Sequence, residues 1–324
     1  MSKIIAIDGG TTNTRFTAIE NGKILAVQKL PLGIRNTLTE QGRAEFVSAI
    51  SKTVADVRAG VGVGASAIVL SGMIGSETGL YCCPHVAAPI SAPGLAKRIE
   101  RVSLPEICEL PFYFIPGVKT CTAKESFSTD ELSAADIMRG EETELVGIYN
   151  KLGLSGGVTF ALPGSHMKYV RAGDGGGIEA FSTSIAGELI RAVAENTIIS
   201  ASLSGVFPKH PKRDMLIMGY RYTEERGVTD AIFKVRILDK FAEHTKEELY
   251  SFLLGVILHE DIKALFCCDT PIYIGGSGLF RESLKLLIES ELPEKSVFEV
   301  PEEISENAAA YGAYWLHNKA ICNL

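Results

Sequence analysis

The stretch Asp8-Gly9-Gly10-Thr11-Thr12-Asn13 joins two apolar segments near the start of the chain. The segments, Ile4 to Ile7 and Thr14 to Ile19, have the composition of β-strands, so the six residues between them form a turn. Its glycines let a ligand approach the backbone, its threonines supply hydroxyl donors and its aspartate can bind Mg²⁺. A nucleoside triphosphate needs these groups. We therefore expect a phosphate site here, the alternative being a plain hairpin turn.

A similar pattern returns in the second half of the chain. The strand-like Val158 to Leu162 ends in the turn Pro163-Gly164-Ser165-His166. The strand that follows each turn carries a cation near its start, Arg15 in the first copy and Lys168 in the second. The pattern predicts an internal repeat and two similar lobes. We expect the second turn to face the first across a cleft, so that both turns and both cations bind phosphates.

A third glycine-rich turn, Gly275-Gly276-Ser277-Gly278, follows the apolar segment Pro271 to Ile274 and opens a helix. The close backbone approach that glycine permits suits an adenine–ribose group, and a tight turn without a ligand is the alternative. Two further buried strands, Ala67 to Leu70 and Phe112 to Ile115, also lead into glycine-containing loops. Residues 204 to 230 are expected to be irregular. Helices are predicted over residues 39 to 57, 184 to 196, 246 to 263 and 307 to 315.

Phosphoryl transfer also needs a group that accepts the proton of the acceptor hydroxyl. The densest set of candidates lies in Ala135 to Glu144, predicted to open or run along a helix that reaches Tyr149. If Asp136 begins that helix, Arg139 lies on the same face. A solvated charged helix is the alternative.

Composition limits the remaining possibilities. The chain has 324 residues, 46% hydrophobic and 22% charged, and a net charge of −7 without a long basic cluster. We therefore expect two domains, no nucleic-acid partner and, without a signal-peptide pattern or membrane-length apolar run, a cytoplasmic protein that binds no membrane. The expected domains are residues 1–150 with the final helix 305–324, and residues 151–304. Seven cysteines without zinc-site spacing predict buried free thiols.

The motifs together resemble the 2-dehydro-3-deoxygalactonokinases, a family of sugar-acid kinases in the actin, Hsp70 and hexokinase superfamily. The resemblance covers nearly the whole chain. It implies an α/β fold of two ribonuclease-H-like (actin-like ATPase) lobes with a central nucleotide cleft, the cofactors ATP and Mg²⁺, and transfer of the γ-phosphoryl group to the 6-hydroxyl of 2-dehydro-3-deoxy-D-galactonate. Its carriers are Ile7-Asp8-Gly9-Gly10-Thr11-Thr12-Asn13, Gly72-Met73-Ile74-Gly75-Ser76, Pro116-Gly117, Asp136 to Thr143, Leu162 to Val170 and Gly187-Glu188-Leu189.

Site roles follow from this resemblance. Asp8 would hold Mg²⁺, and Asp136 would be the general base, with Glu141 as the rival. Arg139 suits the carboxylate of the sugar acid because its planar fork binds carboxylates bidentately. A kinase of the same fold with another sugar acid or an amino sugar, and a nucleotide-binding ATPase, remain alternatives, as does a homodimer. The expected sugar-acid contacts are Gly72, Met73, Ile74, Gly75, Ser76, Gly117 and Arg139.

Overall fold

The computed structural model of the protein describes residues 3–60, 64–122 and 124–322. The strands are β1 (Lys3–Gly9), β2 (Thr14–Glu20), β3 (Lys23–Leu30), β4 (Ala67–Gly72), β5 (Val86–Ala87), β6 (Glu100–Val102), β7 (Phe112–Phe114), β8 (Val118–Lys119), β9 (Ile137–Met138), β10 (Val158–Leu162), β11 (Met167–Ala172), β12 (Ile178–Ser184), β13 (Ile272–Ile274) and β14 (Val297–Glu299). The helices are α1 (Glu40–Gly60), α2 (Ala92–Ala96), α3 (Thr129–Ala134), α4 (Glu141–Lys151), α5 (Ala186–Asn196), α6 (Ser200–Leu203), α7 (Arg213–Arg226), α8 (Val228–Phe241), α9 (Lys246–Lys263), α10 (Gly278–Glu291), α11 (Glu302–Glu306) and α12 (Ala308–Ile321).

The first large sheet has the strand order β3-β2-β1-β4-β7-β6. Strand β1 pairs antiparallel with β2 and parallel with β4, and its apolar residues Ile4, Ile5 and Ile7 are fully buried. A continuous apolar run is typical of a strand covered on both faces. Because β1 and β4 run in the same direction, Asp8 lies beside Ser71 where both strands end. The ends of parallel strands are where α/β sheets bind ligands.

The second sheet has the order β12-β11-β10-β13-β14, with β10, β13 and β14 parallel. In this sheet the first strand along the chain, β10, lies between the second, β11, and the fourth, β13, while the third and fifth strands lie at the edges. Strands β1, β2, β3, β4 and β7 of the first sheet are arranged in the same order. Arg15 and Lys168 are each the second residue of the returning strand, β2 and β11. The shared order confirms the predicted internal repeat. A third, three-stranded sheet has the order β5-β8-β9.

The chain divides into two compact units. Unit 1 comprises Met1–Gly156, Ala172–Phe181 and Glu306–Leu324, and unit 2 comprises Gly157–Arg171 and Ser182–Ser305. Residues 172–181 join unit 1 because Ile178 forms a β-bridge with Ile90 and the Tyr149 hydroxyl contacts Asp174. That these units are the two predicted domains stays a prediction.

The expectation of an irregular stretch over residues 204 to 230 was wrong, since α7 and the start of α8 occupy most of it. Helix α7 packs closely on α9 through glycines, beside the buried Met215, Leu216 and Tyr220. A Cβ on Gly219 would lie 2.1 Å from the Phe252 carbonyl oxygen, and one on Gly255 would lie 1.9 Å from that of Leu216. A helix that packs through glycine carries a weak apolar period, which is why the pattern was missed.

The cysteines are free, but only Cys83 is buried, while Cys82, Cys267 and Cys322 are exposed. The prediction of buried thiols was therefore wrong for these three. Among the helices of the described ranges, none combines the length and apolar character needed to span a bilayer.

His317 on α12 is a buried polar group without a hydrogen-bond partner. The residue is 2% exposed, and neither ring nitrogen is hydrogen-bonded within the described residues. The Tyr113 ring packs edge-on against the His317 ring, with 4.7 Å between the ring centroids. Burial lowers the pKa of His317 to about 4. The unfolded chain, with a pKa of about 6.5, therefore binds this proton first as the pH falls, and the folded state loses stability between those values.

We expect His317→Leu to reduce the loss of stability between pH 7.5 and pH 5, because the variant cannot bind this proton. The difference should reach about 2 kcal/mol, the linkage free energy for such a shift at pH 5. Thermal unfolding of both proteins at the two pH values measures it. Equal acid sensitivity of wild type and variant would contradict the assignment.

Candidate functional site

The turn after β1 leaves donors free for a ligand. The Gly10 amide donates to the Asn13 carbonyl oxygen at 2.9 Å, so that amide is used inside the turn. The amides of Thr11 and Thr12 have no acceptor within the described residues, and both side chains are exposed. The carbonyl oxygens of Gly10 and Thr11 accept hydrogen bonds from the amides of Ile34 and Arg35, and these bonds hold the turn in place. Two amides and two hydroxyls can therefore reach a phosphate.

Asp8 lies near the acidic residues in the first turn of α4 and forms an acidic cluster with them. Burial raises the pKa of Asp8 to about 6, the negative charge of Glu141 adds to the rise, and Arg15 opposes it. Arg15 faces Asp8 across the β1–β2 pair and donates to the Asn307 side-chain oxygen at 3.0 Å. Burial likewise raises the pKa of Glu142 to about 7. It raises that of Glu144 well above its ordinary value, with the Asp8 and Glu141 charges adding to the effect.

A divalent cation suits this cluster because it would offset the mutual repulsion of the carboxylates. No three or more His, Cys, Asp or Glu side chains of the described residues converge to hold a metal ion by themselves. Mg²⁺ usually binds through one or two carboxylates together with waters and substrate phosphates. Asp8 beside the open amides of the turn fits that mode.

Glycines allow the backbone to close around Asp8. Gly72 has φ +79°, and a Cβ there would lie 2.9 Å from the Asp8 Oδ1 atom. A Cβ on Gly9 would lie 2.5 Å from the Ile74 Cβ. Ile74 is itself fully buried, so its side chain packs in the core, and that Ile74 contacts the sugar acid stays a prediction. Met73 and Ser76, in contrast, keep part of their surface open.

Gly75, Gly117 and Arg139, three of the expected sugar-acid contacts, lie together. The Arg139 Nη2 atom donates to the Cys83 carbonyl oxygen at 2.7 Å and contacts the His85 Nδ1 atom at 3.1 Å. The Arg139 Nη1 atom is buried without a partner among the described residues, 3.2 Å from where a Gly75 Cβ would be. A Cβ on Gly117 would lie 2.8 Å from the His85 Nε2 atom.

Asp136 does not begin the helix, contrary to expectation. It lies between α3 and the short strand β9, and its Oδ1 atom accepts from the Ile137 amide at 2.6 Å. Pairing of β9 with β8 holds residues 137 and 138 extended, and Gly140, with φ +121°, precedes the first helical residue. The first turn of α4 therefore begins with Glu141, which accepts from the Arg139 amide at 3.2 Å.

In unit 2 the turn after β10 is packed against the start of α5. A Cβ on Gly187 would lie 2.1 Å from the Gly164 carbonyl oxygen, and the Glu188 amide donates to the Ser165 carbonyl oxygen at 3.1 Å. Gly164, Ser165 and His166 keep surface open to solvent. Lys168 is only 3% exposed and donates to the Thr183 hydroxyl, so its charge lies beneath the turn instead of on its surface.

The third glycine turn adjoins the second. A Cβ on Gly276 would lie 2.9 Å from the Pro163 Cγ atom. The Gly276 amide donates to the Ser305 hydroxyl at 2.6 Å, and Arg281 donates to the Gly276 carbonyl oxygen at 3.1 Å. Ser277 precedes the first residue of α10 without capping it through its side chain. The second and third of the three turns that were predicted to bind ATP therefore contact each other in unit 2.

Sequence reasoning missed several residues around these turns. His85, Lys119, Asn307, Ser305 and Arg281 come from segments without a recognisable motif, and only the fold brings them to the site. Glu142 and Glu144 lie inside the acidic motif that was singled out, but their burial has no sequence signal.

A family model and a relative of known name both match this chain and agree on the family. The family model of 2-keto-3-deoxy-galactonokinase matches residues 8–283. The 2-dehydro-3-deoxygalactonokinase of Escherichia coli (strain K12) is 23% identical over 265 residues, 82% of this chain and 80% of that protein.

Solved structures agree with the fold. A 2-dehydro-3-deoxygalactonokinase candidate from Sinorhizobium meliloti superposes with a TM-score of 0.79 at 22% identity, covering 99% of this chain and 97% of that one. The activator of 2-hydroxyisocaproyl-CoA dehydratase from Clostridium difficile, solved with bound ADPNP, reaches 0.51 at 10% identity, covering 99% and 96%.

These likenesses confirm the predicted α/β fold class of ribonuclease-H-like, actin-like ATPase units. Fold alone does not separate a kinase from another ATPase, but a family model over most of the chain does. The chain belongs to the 2-keto-3-deoxy-galactonokinase family, which confirms the sequence-based prediction of a sugar-acid kinase.

Proposed function

We propose that the protein transfers the γ-phosphoryl group of ATP to the 6-hydroxyl of 2-dehydro-3-deoxy-D-galactonate, giving the 6-phosphate and ADP. The observation that carries this proposal is the family match over residues 8–283. Membership of a kinase family implies ATP as the phosphoryl donor. Arg139 supports an acidic acceptor, because its guanidinium has no carboxylate partner within the described residues.

On the phosphate side, Asp8 would hold Mg²⁺, which when bound would neutralise charge on the phosphate oxygens. Thr11 and Thr12 donate their amides and hydroxyls to phosphate oxygens, and Gly9, Gly10, Asn13 and Arg15 maintain the turn. In unit 2, Gly164, Ser165 and His166 bind phosphate with the Lys168 charge beneath them. Gly275, Gly276 and Ser277 contact the adenosine. These assignments rest on the open amides and the close glycine packing described above.

On the acceptor side, Glu141 is the general base. It takes the proton of the 6-hydroxyl as that oxygen forms its bond to the γ-phosphorus, and the bond from the γ-phosphorus to the bridging oxygen of ADP breaks. Its position at the start of α4, within electrostatic reach of Asp8, supports Glu141 over Asp136. Arg139 binds the carboxylate, with Gly72, Met73, Gly75, Ser76 and Gly117 shaping the surface around it.

A cytoplasmic location fits the need for ATP, and a homodimer stays a prediction.

An ADP-release assay across a panel of acceptors tests the proposal. We expect turnover with 2-dehydro-3-deoxy-D-galactonate and little ADP without an acceptor. Other 2-keto-3-deoxy acids, amino sugars and neutral sugars form the comparison set. No turnover of any 2-keto-3-deoxy acid would exclude the proposed acceptor. ATP hydrolysis that no small acceptor changes would instead favour an ATPase.

A further inference from the structure

The Arg139 guanidinium is a charge without a counter-ion in the described part of the chain. Its Nη2 atom contacts only an uncharged carbonyl oxygen and an imidazole nitrogen, and its Nη1 atom has no partner there. A guanidinium stays ionised in proteins, and an unpaired buried charge is costly. An anion beside Nη1 would give this donor atom a partner and the charge a counter-ion.

The contact between Arg139 and His85 fixes the tautomer of the histidine. A guanidinium has only donors, so the His85 Nδ1 atom, 3.1 Å from Nη2, must accept. In a neutral imidazole the proton is then on Nε2, which makes Nε2–H a donor. That atom has no acceptor within the described residues.

His85 stays neutral because it is partly buried and because two positive groups lie near it. Burial, Arg139 and Lys119 together lower its pKa to about 4. Lys119 is the last residue of β8, which pairs with β9 next to Arg139, and it forms no ion pair with a described carboxylate. Two cations and one neutral donor therefore converge without an acidic partner among the described residues.

Two glycines lie close to the donor atoms. A Cβ at Gly75 would lie 3.2 Å from Arg139 Nη1, and a Cβ at Gly117 would lie 2.8 Å from His85 Nε2. A larger residue at either position would crowd a donor atom. Glycine at both positions therefore keeps a Cβ from crowding these two donor atoms.

We propose that His85 and Lys119 complete, with Arg139, a recognition site for the α-keto carboxylate end of the acceptor. Arg139 Nη1 and the Lys119 ammonium bind the carboxylate, and the His85 Nε2–H donates to an oxygen of the same α-keto acid group. His85 also positions Arg139 through Nδ1. This inference rests on the proposed function, because it takes the acceptor to be an α-keto acid.

Paired substitutions separate the two roles of His85. The amide of His85→Asn can replace the Nδ1 acceptor but not the Nε2 donor, whereas the amide of His85→Gln can replace the donor. We expect His85→Asn to raise the KM for the sugar acid roughly 10- to 100-fold, as expected for a lost hydrogen bond to a charged group. The value of kcat and the KM for ATP should change little. His85→Gln should recover part of the loss, and Lys119→Met should raise the same KM.

Discrimination against an uncharged acceptor provides a second readout. We expect wild type to prefer the acid over its methyl ester and Lys119→Met to narrow that preference. His210→Asn, a substitution of an exposed histidine in unit 2, is the matched control and should behave as wild type. Thermal unfolding checks that each variant folds. If His85→Asn does not fold, Lys119→Met still tests the proposal.

The outcomes distinguish this inference from the proposed function. If wild type turns over the acid and His85→Asn and Lys119→Met keep its KM within about twofold, far below the loss expected for a hydrogen bond to a charge, the inference fails alone. If wild type neither binds nor phosphorylates any 2-keto-3-deoxy acid, both fail.

Discussion

Replacing Glu141 by Gln is expected to lower kcat roughly 10²- to 10⁴-fold, the range that a general base contributes. Gln has the same shape but cannot accept the proton of the sugar hydroxyl. Glu141 begins α4, is half-buried, and contributes to the raised pKa of Asp8, so it lies near the expected phosphate site. The KM for both substrates should change much less, because the interaction is made mainly in the transition state.

Asp136→Asn is the matched control for this substitution. Asp136 lies before β9, where its carboxylate accepts from the Ile137 amide. We expect this variant to keep kcat within a few-fold of wild type under saturating ATP and sugar acid. Coupled ADP release measures both variants. Near-normal kcat in Glu141→Gln, with a large loss in Asp136→Asn, would assign the base to Asp136.

For these two carboxylates, the sequence predicts the segment that carries the base but not the residue. The motif from Asp136 to Thr143 locates the acidic segment, but the start of the helix depends on Gly140 and on the pairing of β9 with β8. A two-residue strand leaves almost no periodic signal. The sequence therefore identifies the segment and not the residue that reaches Asp8.

The longer elements show the opposite case. Residues 158–162 and 246–263 were predicted with their observed boundaries, because an apolar run bounded by turns and a capped helix have strong local signals. His85 and Lys119 have no such signal, since their proximity to Arg139 comes from pairing between distant segments. Local pattern therefore predicts elements well, whereas contacts between elements require the fold.

The second large effect concerns the crossing of α4 and α12. We expect Gly312→Ala to lower the stability of the protein by about 3 kcal/mol or more, at the upper end of overpacking costs. A Cβ on Gly312 would lie 1.8 Å from the Thr143 carbonyl oxygen, and backbone cannot yield as a flexible side chain does. The melting temperature should fall by roughly 6–12 °C, the shift that such a loss causes in a domain of this size. Thermal unfolding measures this shift.

Gly60→Ala is the matched control because Gly60 ends α1, and apart from its chain neighbours and its own helix backbone no described atom lies within 4 Å of where its Cβ would be. It should leave stability unchanged or raise it slightly, since alanine favours helix. An equal effect of the two substitutions would show that the loss at Gly312 is not steric.

The double variant Gly147→Ala/Gly312→Ala tests the crossing itself. A Cβ on Gly147 would lie 2.0 Å from the Ala308 carbonyl oxygen, so each substitution alone forces the same two helices apart. Once the first has separated them, the second meets less resistance, and the combined loss should be smaller than the sum of the single losses. Additive losses would mean that each glycine is accommodated independently. Glu141 begins α4, and Asn307, which binds Arg15, lies just before α12. Separation of the two helices should therefore displace both residues and lower kcat, and the variant that loses the most stability should also lose the most kcat.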